Sequence, residues 1–252
     1  MNTALILSGG VGTRISSDIP KQYIKTGKHM MISHCIQAVL SCRAVDHVQI
    51  VADAKWRDAI SSDAAALTGG RFTESFIGFS DPGENRQLSI YNGLTGILAY
   101  YEKKGGDPVC TTGRSGETDS DVVIIHDAAR PFVTAKLLNE CIDACRSHDG
   151  AMPALPMKDT VYLSEDGVSI SSLLDRGKIY AGQAPEAFRL EKYYDAVKAL
   201  LPDKILKING SSEPAIIAGL DVAIIKGDEN NFKVTTDNDL EKCLKILDPA
   251  ES

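Results

Sequence analysis

The chain has 252 residues, 43% of them hydrophobic and 24% charged, enough apolar material to bury a large α/β core. Lysine and arginine total 27 against 34 aspartates and glutamates, a net charge of −7. That balance argues against a broad basic field for nucleic acid or anionic membrane, so phosphate chemistry here must rest on locally focused cations.

Met1 to Ile6 leads directly into an apolar stretch with no basic segment and no small-residue cleavage site. No apolar run reaches the roughly 18 residues of a spanning helix. The 6 cysteines contain no CxxC pair and fall mostly in apolar periodic segments, where a thiol packs as a small hydrophobe. Cys141, Cys145 and His148 could share a helical face, but no paired cluster completes a metal site there. These features point to a reduced, cytoplasmic protein.

Thr3 to Leu7 reads as a buried strand ending in the turn Ser8-Gly9-Gly10. Apolar residues four apart make Met31 to Leu40 an amphipathic helix. Val48 to Ala52 is a second strand, Lys55 to Leu67 a helix, Phe76 to Phe79 a third strand, and Leu88 to Tyr101 a long helix. Lys103 to Ser120 is polar, glycine-bearing and aperiodic, a surface insertion rather than a linker. Asp121 to His126 is the clearest buried strand, followed by a helix from Ala135 to Arg146. Lys158 to Arg176 alternates about Glu165-Asp166-Gly167, a hairpin signal. A helix at Leu190 to Leu201, a strand at Asp221 to Ile225 and a strand-like Phe232 to Thr235 complete the order. A last helix opens at Thr236-Asp-Asn-Asp239, a capping-box variant.

Strands separated by helices of this size predict a Rossmann-like α/β fold, a mostly parallel sheet with helices on both faces. We expect one domain over residues 1–252, with a protruding β-hairpin arm at about 156–178. An isolated hairpin is marginally stable, so this arm needs its own domain or a second subunit to cover it.

Leu7-Ser-Gly-Gly-Val-Gly-Thr-Arg14 ends the first strand, and its glycines let backbone amides approach a phosphate or a base edge. It lacks the Gly-Lys-Ser/Thr of a P-loop and fits a dinucleotide fingerprint poorly. Ile19-Pro-Lys-Gln-Tyr23 follows, so Arg14 and Lys21 flank the glycine loop, a bidentate cation and a point charge suited to a triphosphate. His126-Asp-Ala-Ala-Arg-Pro131 lies at the carboxyl end of the strongest strand, where open α/β sheets bind ligands. Structurally, Asp127 there can equally cap a turn and pair with Arg130.

Together with Gly83-Glu-Asn-Arg-Gln-Leu-Ser89, Lys158-Asp-Thr160, Asp175-Arg176 and Asn231-Phe-Lys-Val-Thr235, these segments occur in the order of the polyol-phosphate cytidylyltransferases, which the chain resembles over residues 3 to 247. The resemblance implies transfer of CMP from CTP to a polyol phosphate with Mg²⁺, releasing pyrophosphate. It implies phosphate-gripping, catalytic roles for Arg14, Lys21 and Lys233, and nucleotide contacts from Ser8, Gly9, Gly10, Gly12, Gly83, Arg86, Ser89 and Asp127. Asp127 would also hold the metal. Arg130, Thr160 and Arg176 would bind the polyol phosphate, the last two across a homodimer formed through the 158–176 arm.

The polyol stays open between the family's branches. Methylerythritol 4-phosphate is placed first, for isoprenoid precursors, and ribitol 5-phosphate second, for cell-wall or capsule polymers. Asn230 stands where many relatives carry an aspartate, and Gly210 to Pro214 departs from the methylerythritol pattern. A sugar-1-phosphate nucleotidyltransferase using another NTP and a catalytically silent nucleotide-binding regulator are the other readings.

Overall fold

The computed structural model describes residues 1–10, 17, 19–105 and 121–247. The first half of the chain comprises β1 (Asn2–Leu7), the small ribbon β2 (Lys25–Thr26) and β3 (His29–Met30), α1 (Met31–Leu40), β4 (His47–Val51), α2 (Ala54–Thr68), α3 (Arg71–Ser75), β5 (Phe76–Ser80) and α4 (Arg86–Lys103). The second comprises β6 (Val122–Asp127), α5 (Ala135–Ala144), β7 (Gly150–Pro156), β8 (Val161–Leu163), β9 (Ser172–Leu174), β10 (Tyr180–Gly182) and β11 (Glu186–Arg189). It ends with α6 (Leu190–Lys198), α7 (Glu213–Ile217), β12 (Val222–Lys226) and α8 (Asp237–Leu247).

The main sheet runs β5-β4-β1-β6-β11-β7-β10, with β12 on the other edge of β7. Strands β5, β4, β1 and β6 are parallel, as are β7 and β12. The exceptions are β11, antiparallel to both β6 and β7, and β10, antiparallel to β7. Side-chain alternation divides the core between the two faces. Ala4, Ile6 and Ile124 join α1, α2 and α5 on one side, while Leu5, Val123 and Ile125 join α4 and α6 on the other. Burial on both faces is why β1 and β6 read as continuous apolar runs.

Several expectations need correction. The segment Phe232 to Thr235 joins no ladder; it is irregular chain, tied by the Val234 amide donating to the Ala129 carbonyl at 2.9 Å. Strands β7, β10 and β11 had no counterpart in the sequence reading. The Glu165-Asp166-Gly167 signal sits inside a longer loop, with β8 and β9 pairing only from Val161↔Leu174 to Leu163↔Ser172. Asp166 Oδ1 organises that loop by accepting from the Val168 and Ser169 amides. The last helix does carry its box: Thr236 Oγ1 accepts from the Asp239 amide, and Asp239 Oδ2 accepts from the Thr236 amide.

The five described cysteines are free and buried. Among the described residues, no helix is long and apolar enough to cross a membrane. Residues 106–120, most of the expected insertion, lie outside the description.

Strand β11 is anchored by Phe188, fully buried and stacked on Tyr193 with ring centroids 4.1 Å apart. Urea denaturation of Phe188→Ala should show a loss of about 3–5 kcal/mol, the cost of a large core cavity; a loss below 1 kcal/mol would mean β11 contributes little to the core.

Candidate active site

A cleft of about 510 Å³ opens where β1 and β6 end, lined by Ser8, Gly9, Gly10, Lys21, Gln22, the turn from Pro82 to Arg86, Ser89, Asp127 and Lys233. Its first wall is the glycine loop. Gln22 Nε2 donates to the Ser8 carbonyl at 2.6 Å and to the Gly10 carbonyl at 2.7 Å. The Tyr23 hydroxyl also donates to the Ser8 carbonyl, at 2.8 Å. The Pro-Lys-Gln-Tyr string therefore does two jobs: Lys21 lines the cleft, while Gln22 and Tyr23 fix the loop opposite. Sequence reasoning weighed only the cation. Gly12 and Arg14 lie outside the described residues.

The facing wall is the turn into α4. Gly9 is required by close approach, since a Cβ there would lie 2.4 Å from Pro82 Cβ. Gly83 is equally confined, with a Cβ only 2.3 Å from Leu88 Cβ. Ser89 lines the cleft, yet its hydroxyl accepts from the Gly83 amide at 3.0 Å and donates to the Asn85 carbonyl at 2.9 Å. It is engaged in holding the turn. Asn85 caps α4 by accepting from the Leu88 amide, which directs the positive end of an 18-residue helix toward the cleft.

The floor is a charge cluster. Asp127 ends β6, is 7% exposed, and receives Arg86 Nη1 at 2.5 Å, Lys233 Nζ at 2.8 Å and Arg130 Nε at 3.8 Å. Burial pushes the Asp127 carboxyl up, but Arg86 and Lys233 outweigh it and hold the group well below the ordinary carboxylate range. Arg86 Nη2 also donates to Ser211 Oγ at 2.9 Å. Arg130 sits behind the carboxylate, its Nη1 donating to the Asn231 carbonyl at 2.6 Å. Neighbouring His126 is fully buried, and its Nε2 hydrogen-bonds the Arg130 carbonyl at 3.0 Å. Burial lowers its pKa to about 4, so the ring is neutral.

Thus Ser8, Gly9, Gly10, Lys21, Gly83, Arg86, Ser89, Asp127 and Lys233 are brought to one cleft, with Arg130 just beneath its floor. Thr160 and Arg176 are not. Both are exposed at the base of the β8–β9 pair, where Arg176 Nη1 donates to the Lys158 carbonyl at 3.1 Å. Of the cations expected at the site, Lys21, Arg86 and Lys233 line the cleft and Arg176 stays outside it within a single copy. Ser211 and Asn231 serve the cluster too; no local signal separates Ser211 from other loop serines.

A family model described as 2-C-methyl-D-erythritol 4-phosphate cytidylyltransferase matches residues 3–103 and 108–248. The chain belongs to this family. A 2-C-methyl-D-erythritol 4-phosphate cytidylyltransferase of Rubrobacter xylanophilus is 31% identical over 252 residues, covering 98% of this chain and 95% of the relative. A ribitol-5-phosphate cytidylyltransferase of Streptococcus pneumoniae is 28% identical over 244 residues, covering 96% and 97%. The chain spans only 53% of a bifunctional enzyme of Wolbachia pipientis that it matches at 30% identity over 94% of its own length. A crystal structure of 4-diphosphocytidyl-2C-methyl-D-erythritol synthase from Anaerococcus prevotii shares the fold, with a TM-score of 0.74, 22% identity, and 98% of this chain and 95% of that one covered.

The cytidylyltransferase floor makes a pH prediction. The unfolded chain protonates His126 below about 6.5, whereas the folded chain resists until about 4. Stability from this residue is full above pH 6.5 and declines as pH falls toward 4, by about 3 kcal/mol in total. Urea midpoints between pH 7 and pH 4.5 should fall less steeply in His126→Gln than in the wild type; equal slopes would show that His126 takes up its proton in the folded state.

Proposed function

We propose that this chain moves CMP from CTP to a polyol phosphate. An anionic phosphate oxygen of the polyol attacks the α-phosphorus in line, the bond from that phosphorus to the α,β-bridging oxygen breaks, and pyrophosphate leaves with the electron pair. Membership of the cytidylyltransferase family over residues 3–103 and 108–248 carries this reading. The attacking oxygen is already ionised, so the site must supply positioning and positive charge rather than a strong base.

The residues of the cleft fit that demand. The Lys233 side chain is about one-third exposed and its Nζ rests on Asp127, ready to exchange the carboxylate for the α-phosphate. Lys21 lines the same cleft from the glycine-loop side and, with Arg14, is assigned to the β- and γ-phosphates. The loop backbone of Ser8, Gly9, Gly10 and Gly12 and the turn at Gly83 and Ser89 are assigned to cytosine and ribose. Arg86 keeps Asp127 ionised and oriented.

Among the described residues no three His, Cys, Asp or Glu side chains converge as a metal site, and Asp127 is the one carboxylate buried in the cleft. That donor set suits Mg²⁺, which takes one or two carboxylates and fills its shell with substrate phosphates and water. Bound through Asp127, it would neutralise phosphate charge, taking the Oδ2 oxygen that Lys233 holds while Arg86 keeps Oδ1.

We assign methylerythritol 4-phosphate as substrate, with ribitol 5-phosphate second, following the relatives at 31% and 28% identity. Pyrophosphate release should be greatest with CTP and methylerythritol 4-phosphate in a panel of four NTPs and several polyol phosphates. Preference for ribitol 5-phosphate would move the chain to the other branch, and preference for ATP, GTP or UTP would end the cytidylyl assignment. Lys233→Ala should lower kcat/KM by about 100- to 1,000-fold, the usual cost of losing one transition-state donor.

We also propose a cytoplasmic homodimer. The β8–β9 ribbon exposes Tyr162 at 54%, Val168 at 90%, Ile170 at 67% and Leu173 at 64%, an apolar surface that such short strands cannot support alone. A second copy covering it offers Thr160, Arg176 and the polyol phosphate a shared site. Light scattering of dilute protein should give twice the chain mass; a fully active monomer would remove Thr160 and Arg176 from substrate binding.

A further inference from the structure

The glycine loop that ends β1 is fastened by one side chain from a later turn. Gln22 is 4% exposed, and its Nε2 donates to the Ser8 carbonyl at 2.6 Å and to the Gly10 carbonyl at 2.7 Å. Both hydrogens of one carboxamide are thereby committed to the backbone on either side of Gly9. In a trans peptide unit the amide points opposite to the carbonyl, so turning the Ser8 carbonyl onto Gln22 turns the Gly9 amide away from it. A carbonyl oxygen repels a phosphate, whereas an amide attracts one. Gln22 therefore takes two partly negative ends of the loop for itself.

The anchorage is firm on both sides. The Val51 carbonyl accepts from the Ser8 amide at 2.9 Å and from the Ser8 hydroxyl at 2.6 Å. The Tyr23 hydroxyl gives the Ser8 carbonyl a second donor at 2.8 Å, and the Tyr23 ring stacks on Trp56 with centroids 4.4 Å apart. Lys21, Gln22 and Tyr23 form one short helical turn, closed by the Tyr23 amide donating to the Pro20 carbonyl at 2.8 Å. Gln22 thus joins the glycine loop to the turn that carries Lys21, and both line the cleft. Glutamine suits this place as glutamate does not. Its nitrogen brings two donors, whereas a carboxylate sets only acceptors against two carbonyl oxygens.

We propose that Gln22 is a positioning residue for the nucleotide: its carboxamide keeps the Ser8 and Gly10 carbonyls occupied, so that they do not face the triphosphate, and fixes the glycine loop against the turn of Lys21. Its effect on CTP rests on the cytidylyl-transfer reading; its hold on Ser8 does not, and the two are tested separately.

The first test needs no substrate. Melting temperatures of Gln22→Met, Tyr23→Phe and the double variant should be non-additive. Either single change leaves the carbonyl of buried Ser8 one donor, while the pair leaves it none, so the double loss should exceed the sum. Additive shifts would overturn the proposal, whatever the protein catalyses. The second test is steady-state kinetics between pH 6 and 9. At pH 8, Gln22→Glu should raise KM for CTP about 10- to 100-fold, the cost of two lost hydrogen bonds, and leave KM for the polyol phosphate unchanged. The introduced carboxyl, buried against two carbonyls, titrates above the ordinary range and regains one donor when protonated. Its kcat/KM for CTP relative to wild type should therefore rise as pH falls from 8 to 6, while the same ratio for Gln22→Met stays constant. The ratio cancels the titration of neighbouring Tyr23 and of Lys21, Glu84, Arg86, Asp127 and Lys233 in the cleft, which all the proteins share. A flat ratio for Gln22→Glu, or an equal rise in KM for the polyol phosphate, would overturn the proposal. Should Gln22→Glu not fold, Gln22→Met carries the KM comparison and the melting cycle. A folded wild type that releases no pyrophosphate would instead defeat the cytidylyl reading, leaving the melting cycle to decide on Gln22.

Discussion

A carboxylate cannot remain ionised away from water unless cations and hydrogen bonds replace its hydration. Asp127 meets that condition at the end of β6, and much of the surrounding architecture follows from it. Its three cations come from separate places: Arg86 opens α4, Arg130 follows β6, and Lys233 lies in the segment before α8. Each of these segments is secured in turn. Asn231 Nδ2 donates to the Ala184 carbonyl at 2.7 Å, Gln183 exchanges hydrogen bonds with the backbone of Asp228, and Arg130 holds the Asn231 carbonyl. Because one lost partner would strand a buried charge, the segments that carry these cations are held as a group.

The same cluster resolves an electrostatic tension. An acidic chain repels polyanions at long range, yet three cations around a single carboxylate leave the cleft floor positive, and Lys21 adds to it from the opposite wall. Low local polarity strengthens those charges relative to the same groups on the surface. Small anions are admitted without a basic exterior.

What the sequence revealed depended on range. Strands β1, β4 and β6 were legible because burial on both faces makes them near-continuous apolar runs, and the long helices because their apolar period is strong. Strand β7 was hidden by Pro153, since a proline argues against an interior strand. The structure accommodates it: the Pro153 carbonyl accepts from the Gln183 amide, so the missing N–H faces the junction where β11 has ended and β10 has begun. Motif strings located Lys21, Asp127 and Lys233, but the Arg86–Asp127 pair joins residues 41 apart and leaves no local trace. Thr160 and Arg176 show the converse limit, a motif whose place in the chain does not bring it to the cleft of its own copy.

In a sheet of parallel strands, only the exits of the strands reach the ligand rim. The reversal of β11 changes what this rim receives: here a strand enters, and its first side chain arrives level with the last residues of β6. The three residues before it already clasp the Lys233 segment through Gln183 and Ala184. A slip of β11 by one position would turn Glu186 to the opposite face and put Ala187 in its place. The pairing of a four-residue strand thus works as an address, deciding which side chain stands level with the end of β6.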